Sequence, residues 1–166
     1  MLSLFEPHTE ALRQGKAVKP TAFGKLVKIQ EAEAQFITDY AVCARGVPDQ
    51  ALWIRSLLRH EALFGLAPRV AVADAGLASR ANERAAHARG EDHAVRPWPR
   101  RKGRARAVRA ALTWRTGCEG RISVLKGRHG LRRCRYRGLA GMQRWVGLGV
   151  IANDLVALGR AGPRTR

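Results

Sequence analysis

The basic residues of this chain crowd into one half of it, and that crowding limits what the half can pack against. Residues 96–166 carry 19 lysines and arginines against two acids, Glu119 and Asp154, whereas residues 1–95 carry 12 against 11. An uncompensated block this dense repels itself unless something neutralises it. With a formal charge of +18 over 166 residues, a polyanion is the expected partner and nucleic acid the first candidate. The 46% hydrophobic content suffices for one core, so the chain reads as a single globular domain or a large piece of one.

Two environments are disfavoured. Cys43, Cys118 and Cys134 are an odd number with no paired spacing, which suggests neither a disulfide framework nor a zinc knuckle and fits a reducing cytoplasm. The opening Met1 to Pro7 lacks the basic and apolar regions of a secretory signal. The most apolar late segment, Gly141 to Leu158, contains Arg144 and Asp154, so no membrane span is expected.

Periodicity outlines an α/β chain. Residues 1–20 are turn-rich, with one short strand candidate at Leu2–Phe5. Gly24–Gln30 alternates as a strand, and Phe36–Val42 reads as its antiparallel partner. After Pro48-Asp49 a helix is expected, with Leu52, Trp53, Leu57, Leu58, Ala62 and Leu63 at helical spacing and Gly65 near its end. Val70–Ala73 suits a strand buried on both faces. Ser79 then caps a helix running to about Arg89. Ala94-Val95 marks a weak strand before Pro97-Trp98-Pro99. Long helices are expected over Ala105–Lys126 and Gly141–Leu158, the second with a core stripe of Trp145, Leu148, Ala152 and Leu155. The implied architecture is a mixed sheet with flanking helices.

Two acids stand out. Asp74 directly follows the apolar Val70–Ala73 run, at the carboxyl end of a strand where open α/β sheets present ligand-binding groups. It also suits an ordinary turn aspartate holding a nearby backbone N–H. Glu119 is the only acid among the 15 bases from Arg96 to Arg137. At about 3.6 residues per turn, Arg115, Glu119 and Lys126 share one stripe of a helix. Trp114, Cys118, Ile122 and Leu125 form an adjacent stripe that can face the core. Gly117 and Gly120 flank the glutamate, as they would where a bulky backbone approaches closely. An i,i+4 ion pair between Arg115 and Glu119 is the plainer explanation, and both can hold together.

The pattern Arg115-x3-Glu119-x6-Lys126 resembles the signature around the last catalytic glutamate of insertion-sequence DDE transposases, and Asp74 in Val-Ala-Val-Ala-Asp-Ala-Gly resembles their second aspartate. Ser3–Thr9, Lys19–Gly24 and Glu119–Tyr136 are similar to the unclassified insertion-sequence (ISNCY) transposases, and the resemblance runs from about Ser3 to Gly162. It implies a ribonuclease H-like fold in which two aspartates and a glutamate hold two Mg²⁺ ions for in-line phosphoryl displacement. It also implies metal-dependent strand cleavage and transfer, action as an oligomer on transposon ends and target DNA, and a cytoplasmic, nucleoid-associated location. Asp74 and Glu119 would be catalytic metal ligands. Arg115 and Lys126 would contact phosphates, and Arg121, Arg128, Arg132, Arg133 and Arg135 would supply salt-sensitive backbone affinity. His60, His87, His93 and His129 have no metal-ligand spacing with the cysteines. Trp98, Trp114 and Tyr136 interleave with arginines and could stack on unpaired bases, with Trp114 also suited to the core.

Departures from the pattern shape the expectation. No Asp-Thr-Thr or Asp-Gly-Thr segment supplies the family's first aspartate, and Glu31, at the end of the first hairpin strand, is the best substitute, although beside Glu33 it also reads as a solvated hairpin residue. Leu112 stands in place of a tyrosine, Leu77 in place of an aromatic residue and Gly127 in place of a basic one. The expectation is therefore an incomplete ribonuclease H-like fold over residues 1–162 with a disordered tail at 163–166. This would be the carboxy-terminal portion of a transposase catalytic domain, truncated and inactive alone. The alternative is a non-enzymatic basic protein that binds DNA or RNA through phosphate contacts.

Overall fold

The computed structural model describes residues 8–13, 21–77, 79–89, 93–95 and 106–162. The Leu2–Phe5 strand candidate, the Pro97-Trp98-Pro99 stop, the basic residues from Arg100 to Arg104 and the 163–166 tail lie outside them. The chain divides into two compact units, Met1–Gly46 with Ser123–Arg166, and Val47–Ile122.

The first unit is built on two hairpins and a long helix. Strands β1 (Glu10–Arg13) and β2 (Thr21–Gly24) pair antiparallel, as do β3 (Val27–Glu31) and β4 (Ile37–Val42), with Ile29 opposite Tyr40. The β3–β4 hairpin is the expected one, but the alternating run from Gly24 divides between β2 and β3, and β1 was not expected. Between β3 and β4 the chain makes a 3₁₀ turn at Glu33–Gln35, where Ala34 and Gln35 have φ of 56° and 70°. Helix α4 (Gly138–Ala161) braces that left-handed turn. The Ile37 amide donates to Asp154 Oδ1 at 2.9 Å, and Asn153 Nδ2 donates to Gln35 O at 3.4 Å. Ile37, Val146, Val150 and Leu125, the last from helix α3 (Arg106–Gly127), form the core.

The core stripe expected on α4 is only half met, with Trp145 and Ala152 half-buried. Leu148 and Leu155 are exposed, Leu155 by 63%, and the buried positions are Gly141, Val146, Gly149, Val150, Asn153 and Ala157. The helix packs through Val146, Val150 and its small residues, with Leu131 and Tyr136 seated against Gly149 and Gly141, and the two leucines are left outside. The stripe assigned to α3 fails similarly. Leu125 is buried, but Ile122 and Trp114 are exposed and Cys118 is half-buried.

The second unit contains helix α1 (Asp49–Phe64), strand β5 (Val70–Val72), helix α2 (Arg80–His87), strand β6 (His93–Val95) and most of α3. Gly65 ends α1 in the left-handed conformation at φ 72°, which glycine adopts without a Cβ penalty. Of the expected α1 stripe, Leu52, Trp53 and Leu57 are buried while Leu58 and Leu63 are exposed. Ser79 caps α2 by accepting from the Asn82 amide at 3.0 Å. Trp53, Leu57 and Ala86 form the core, with Ala71, Ala73 and Leu77 packed against it.

Both helices and strands are present, as an α/β chain requires, but the described strands form three separate two-stranded sheets rather than one mixed sheet. The β5–β6 pair is parallel, with Ala71 opposite Ala94. With one partner strand of three residues, β5 is half-buried along its length rather than covered on both faces.

Candidate carboxylate site

Asp74 lies two residues beyond β5, on a turn tied down from several directions. The Leu77 amide donates to Asp74 O at 3.0 Å, closing the turn. Asn82 is buried on α2, and its Nδ2 donates to Leu77 O at 2.9 Å and to Gln50 O of α1 at 2.8 Å. A Cβ on Gly76 would stand 3.0 Å from Asp49 Oδ2, so the turn rests close against the start of α1. Strand end, α1 and α2 together fix the backbone of Asp74, while its side chain is 76% exposed.

Glu119 reaches the same place from α3. Arg115 Nη2 lies 3.2 Å from Asp74 Oδ1 and donates to Glu119 Oε1 at 3.4 Å. One nitrogen touches both carboxylates, so the two oxygens can be no further apart than those contacts laid end to end. The i,i+4 pair is therefore real, and it forms part of a three-residue constellation that includes Asp74. Glu119 is 69% exposed and Arg115 26%. Both acids present oxygen to solvent while the guanidinium between them is largely covered. Formally the trio carries one net negative charge, next in sequence to a strongly basic stretch.

The remaining candidates are distributed differently. Among the described residues no three His, Cys, Asp or Glu side chains gather into a metal-holding group. Glu31 closes β3 at an irregular register step, half-buried, and belongs to the first unit. Lys126 is exposed on the last turn of α3, in the portion assigned to the first unit. Arg121 is half-buried, whereas Arg128, Arg132, Arg133 and Arg135 are exposed around the α3–α4 loop. Gly117 and Gly120 face open space, so no described part of the chain approaches there. His60 stacks on Phe64 at 4.6 Å, and burial holds its imidazole below the usual value of 6.5, with Glu61 opposing the shift.

Asn82 is the positioning residue that the sequence did not announce. Its only signal was a polar side chain three residues after the Ser79 cap, a place usually occupied by groups that serve the helix end.

A comparison with protein families bears on this constellation. Residues 78–158 match the family of transposase DDE domains. The matched span covers just under half of the chain and contains Arg115, Glu119 and the α3–α4 arginines, while Asp74 lies just before it. The match supports a DDE-transposase reading of this stretch. No curated protein and no solved structure matches the chain. Among the described residues, no helix is long and apolar enough to cross a membrane.

Proposed function

We propose that the chain carries two of the metal-binding carboxylates of a DNA transposase, with Asp74 and Glu119 as ligands for Mg²⁺ in a ribonuclease H-like, ISNCY-type catalytic centre. The observation that carries this reading is the convergence of Asp74 and Glu119 on a single nitrogen of Arg115. A protein that only coated phosphates has no use for two exposed carboxylates brought together from a strand end and a helix.

The residues suit a hard divalent cation. Both donors are carboxylate oxygens open to solvent, the ligand type Mg²⁺ prefers. A cationic group already sits between them, so their spacing supports positive charge. When bound, such a metal polarises phosphoryl oxygen and activates a nucleophile for in-line displacement. The residues of this chain contribute the rest. Asp74 and Glu119 would hold the cation, Asp74 on a turn fixed by Asn82 and Gly76. Arg115 screens the carboxylates from each other and, once displaced, is free to meet a phosphate. Arg128, Arg132, Arg133 and Arg135 bind the DNA backbone without reading its sequence.

Electron paramagnetic resonance of free Mn²⁺ titrated with the full chain tests the carboxylate assignment. One saturable site is expected, weakened by Asp74→Asn and by Glu119→Gln. Equal binding by wild type and the double variant would remove the basis of the proposal. Two carboxylates are one fewer than the family's three, so the isolated chain is expected not to nick transposon-end DNA with Mg²⁺. A specific nick that Asp74→Ala abolishes would contradict that expectation.

A further inference from the structure

The first unit holds a second feature that the carboxylate constellation does not use. Tyr40, Tyr136, Arg144, Gly147, Leu148 and Ile151 line an open cleft of about 370 Å³ on α4. Small-molecule sites span ~300–1,000 Å³, so this cleft suits a ligand of nucleotide size.

Glycines in α4 create the cleft. A Cβ on Gly147 would stand 2.5 Å from Tyr40 Oη, and one on Gly141 would stand 2.9 Å from Tyr136 Cβ. Each tyrosine therefore rests in a notch of the helix. Arg144 lies three residues from both notches and lines the same cleft as the two tyrosines. Tyr40 Oη donates to Gln143 O at 3.3 Å, and Tyr136 meets Trp145 edge-on at 5.5 Å, so both rings are held. Leu148 and Ile151 add an apolar floor, and both are exposed.

The loop beside the cleft is also held in place. Gly130 O accepts from Trp145 Nε1 at 3.2 Å, and the Leu131 amide donates to Leu125 O at 3.1 Å. This anchoring presents Arg132, Arg133, Arg135 and Arg137 to solvent next to Tyr136. Aromatic rings with an arginine between them, bordered by further arginines, match the chemistry of an unstacked base with its phosphates. Sequence-tolerant single-strand binding relies on that combination of stacking and charge.

We infer that the Tyr40–Tyr136 cleft on α4 binds an unpaired nucleotide of single-stranded DNA, with the base against the tyrosines and the backbone along Arg144 and the 132–137 arginines. The inference rests on DNA as the partner but not on the carboxylates.

The test uses a 12-nucleotide single strand carrying one 2-aminopurine, the same strand as RNA, and a blunt duplex. Affinity and fluorescence are read at about 0.2 M salt, where phosphate contacts are weakened. Wild type should prefer the DNA single strand over the duplex and quench the 2-aminopurine. Tyr136→Ala should lose about tenfold in single-strand affinity together with the quenching, and Tyr136→Phe should keep both. Arg144→Gln changes an exposed side chain and provides a second variant should Tyr136→Ala not fold. It should weaken single-strand binding, whereas Leu58→Ala, at an exposed position on α1, should leave it unchanged. Duplex binding equal to single-strand binding, tighter binding of the RNA, or unchanged affinity and quenching in both cleft variants would overturn the inference. So would a protein dimer dissolved by Tyr136→Ala, which would assign the cleft to self-association.

Discussion

Removing the charge of Arg115 is the sharpest probe of the carboxylate site, because the two explanations for this residue predict opposite results. If Arg115 only ties α3 to the Asp74 turn, Arg115→Gln loosens the site and weakens cation binding. If it occupies ground that a divalent cation would take, the same change strengthens cation binding. Its contacts with Asp74 and Glu119 are 3.2 and 3.4 Å, and both acids are more than two-thirds exposed. Exposed pairs contribute ~0.2–1 kcal/mol each. Removing both should therefore lower stability by about 0.5–1.5 kcal/mol, a melting shift of a few degrees. A metal that no longer displaces the guanidinium gains a comparable amount, and ~1.4 kcal/mol is tenfold in affinity. Arg115→Gln should thus raise Mn²⁺ affinity between about twofold and tenfold, measured by free-Mn²⁺ resonance at low salt. An affinity that falls, or one still raised when Glu119→Gln is added, would refute the competition argument.

Other outcomes follow from the same geometry. Asn82→Ala leaves the carbonyls of Gln50 and Leu77 without their donor and should destabilise by about 1–3 kcal/mol, read by denaturant unfolding, with Mn²⁺ affinity falling as the Asp74 turn relaxes. Leu125→Ala should cost about 2–5 kcal/mol, whereas Ile122→Ala, at an exposed position, should stay within about 1 kcal/mol. Burial lowers the His60 value when folded, so the unfolded chain takes up the proton first as pH falls. Stability should decline as pH drops below about 6.5 towards the folded value, and His60→Gln should flatten that decline in melting curves. Duplex DNA affinity should fall steeply with salt, and replacing Arg132, Arg133 and Arg135 by alanine should reduce the log–log slope by roughly 0.9 for each phosphate no longer neutralised. A flat salt response would count against the phosphate reading.

The sequence disclosed what local chemistry decides. Gly65 and Ser79 bound their helices as expected, because caps act within one turn. The approach of Glu119 to Asp74 was legible because one acid among 15 bases needs a reason to be there. What remained hidden depends on distant partners. The β1–β2 pairing joins two segments of four residues, too short for alternation to carry much signal. The face of α4 was misread because large aliphatics ordinarily mark the core. Here Gly141, Gly149 and Asn153 are among the buried positions, and a glycine advertises a packing surface only once the side chain resting on it is known. The sheets were misjudged for a related reason, since a three-residue strand does not reveal how many neighbours it has.

Asp154 is one of only two acids in residues 96–166, and its carboxylate is engaged by the Ile37 amide. That carboxylate is held against the β3–β4 turn, and the 19 basic residues of this half are left with little acid of their own to balance them. During purification the protein should carry host nucleic acid with it through low-salt steps. An ultraviolet spectrum free of that passenger will require a wash at high ionic strength before any binding constant is measured.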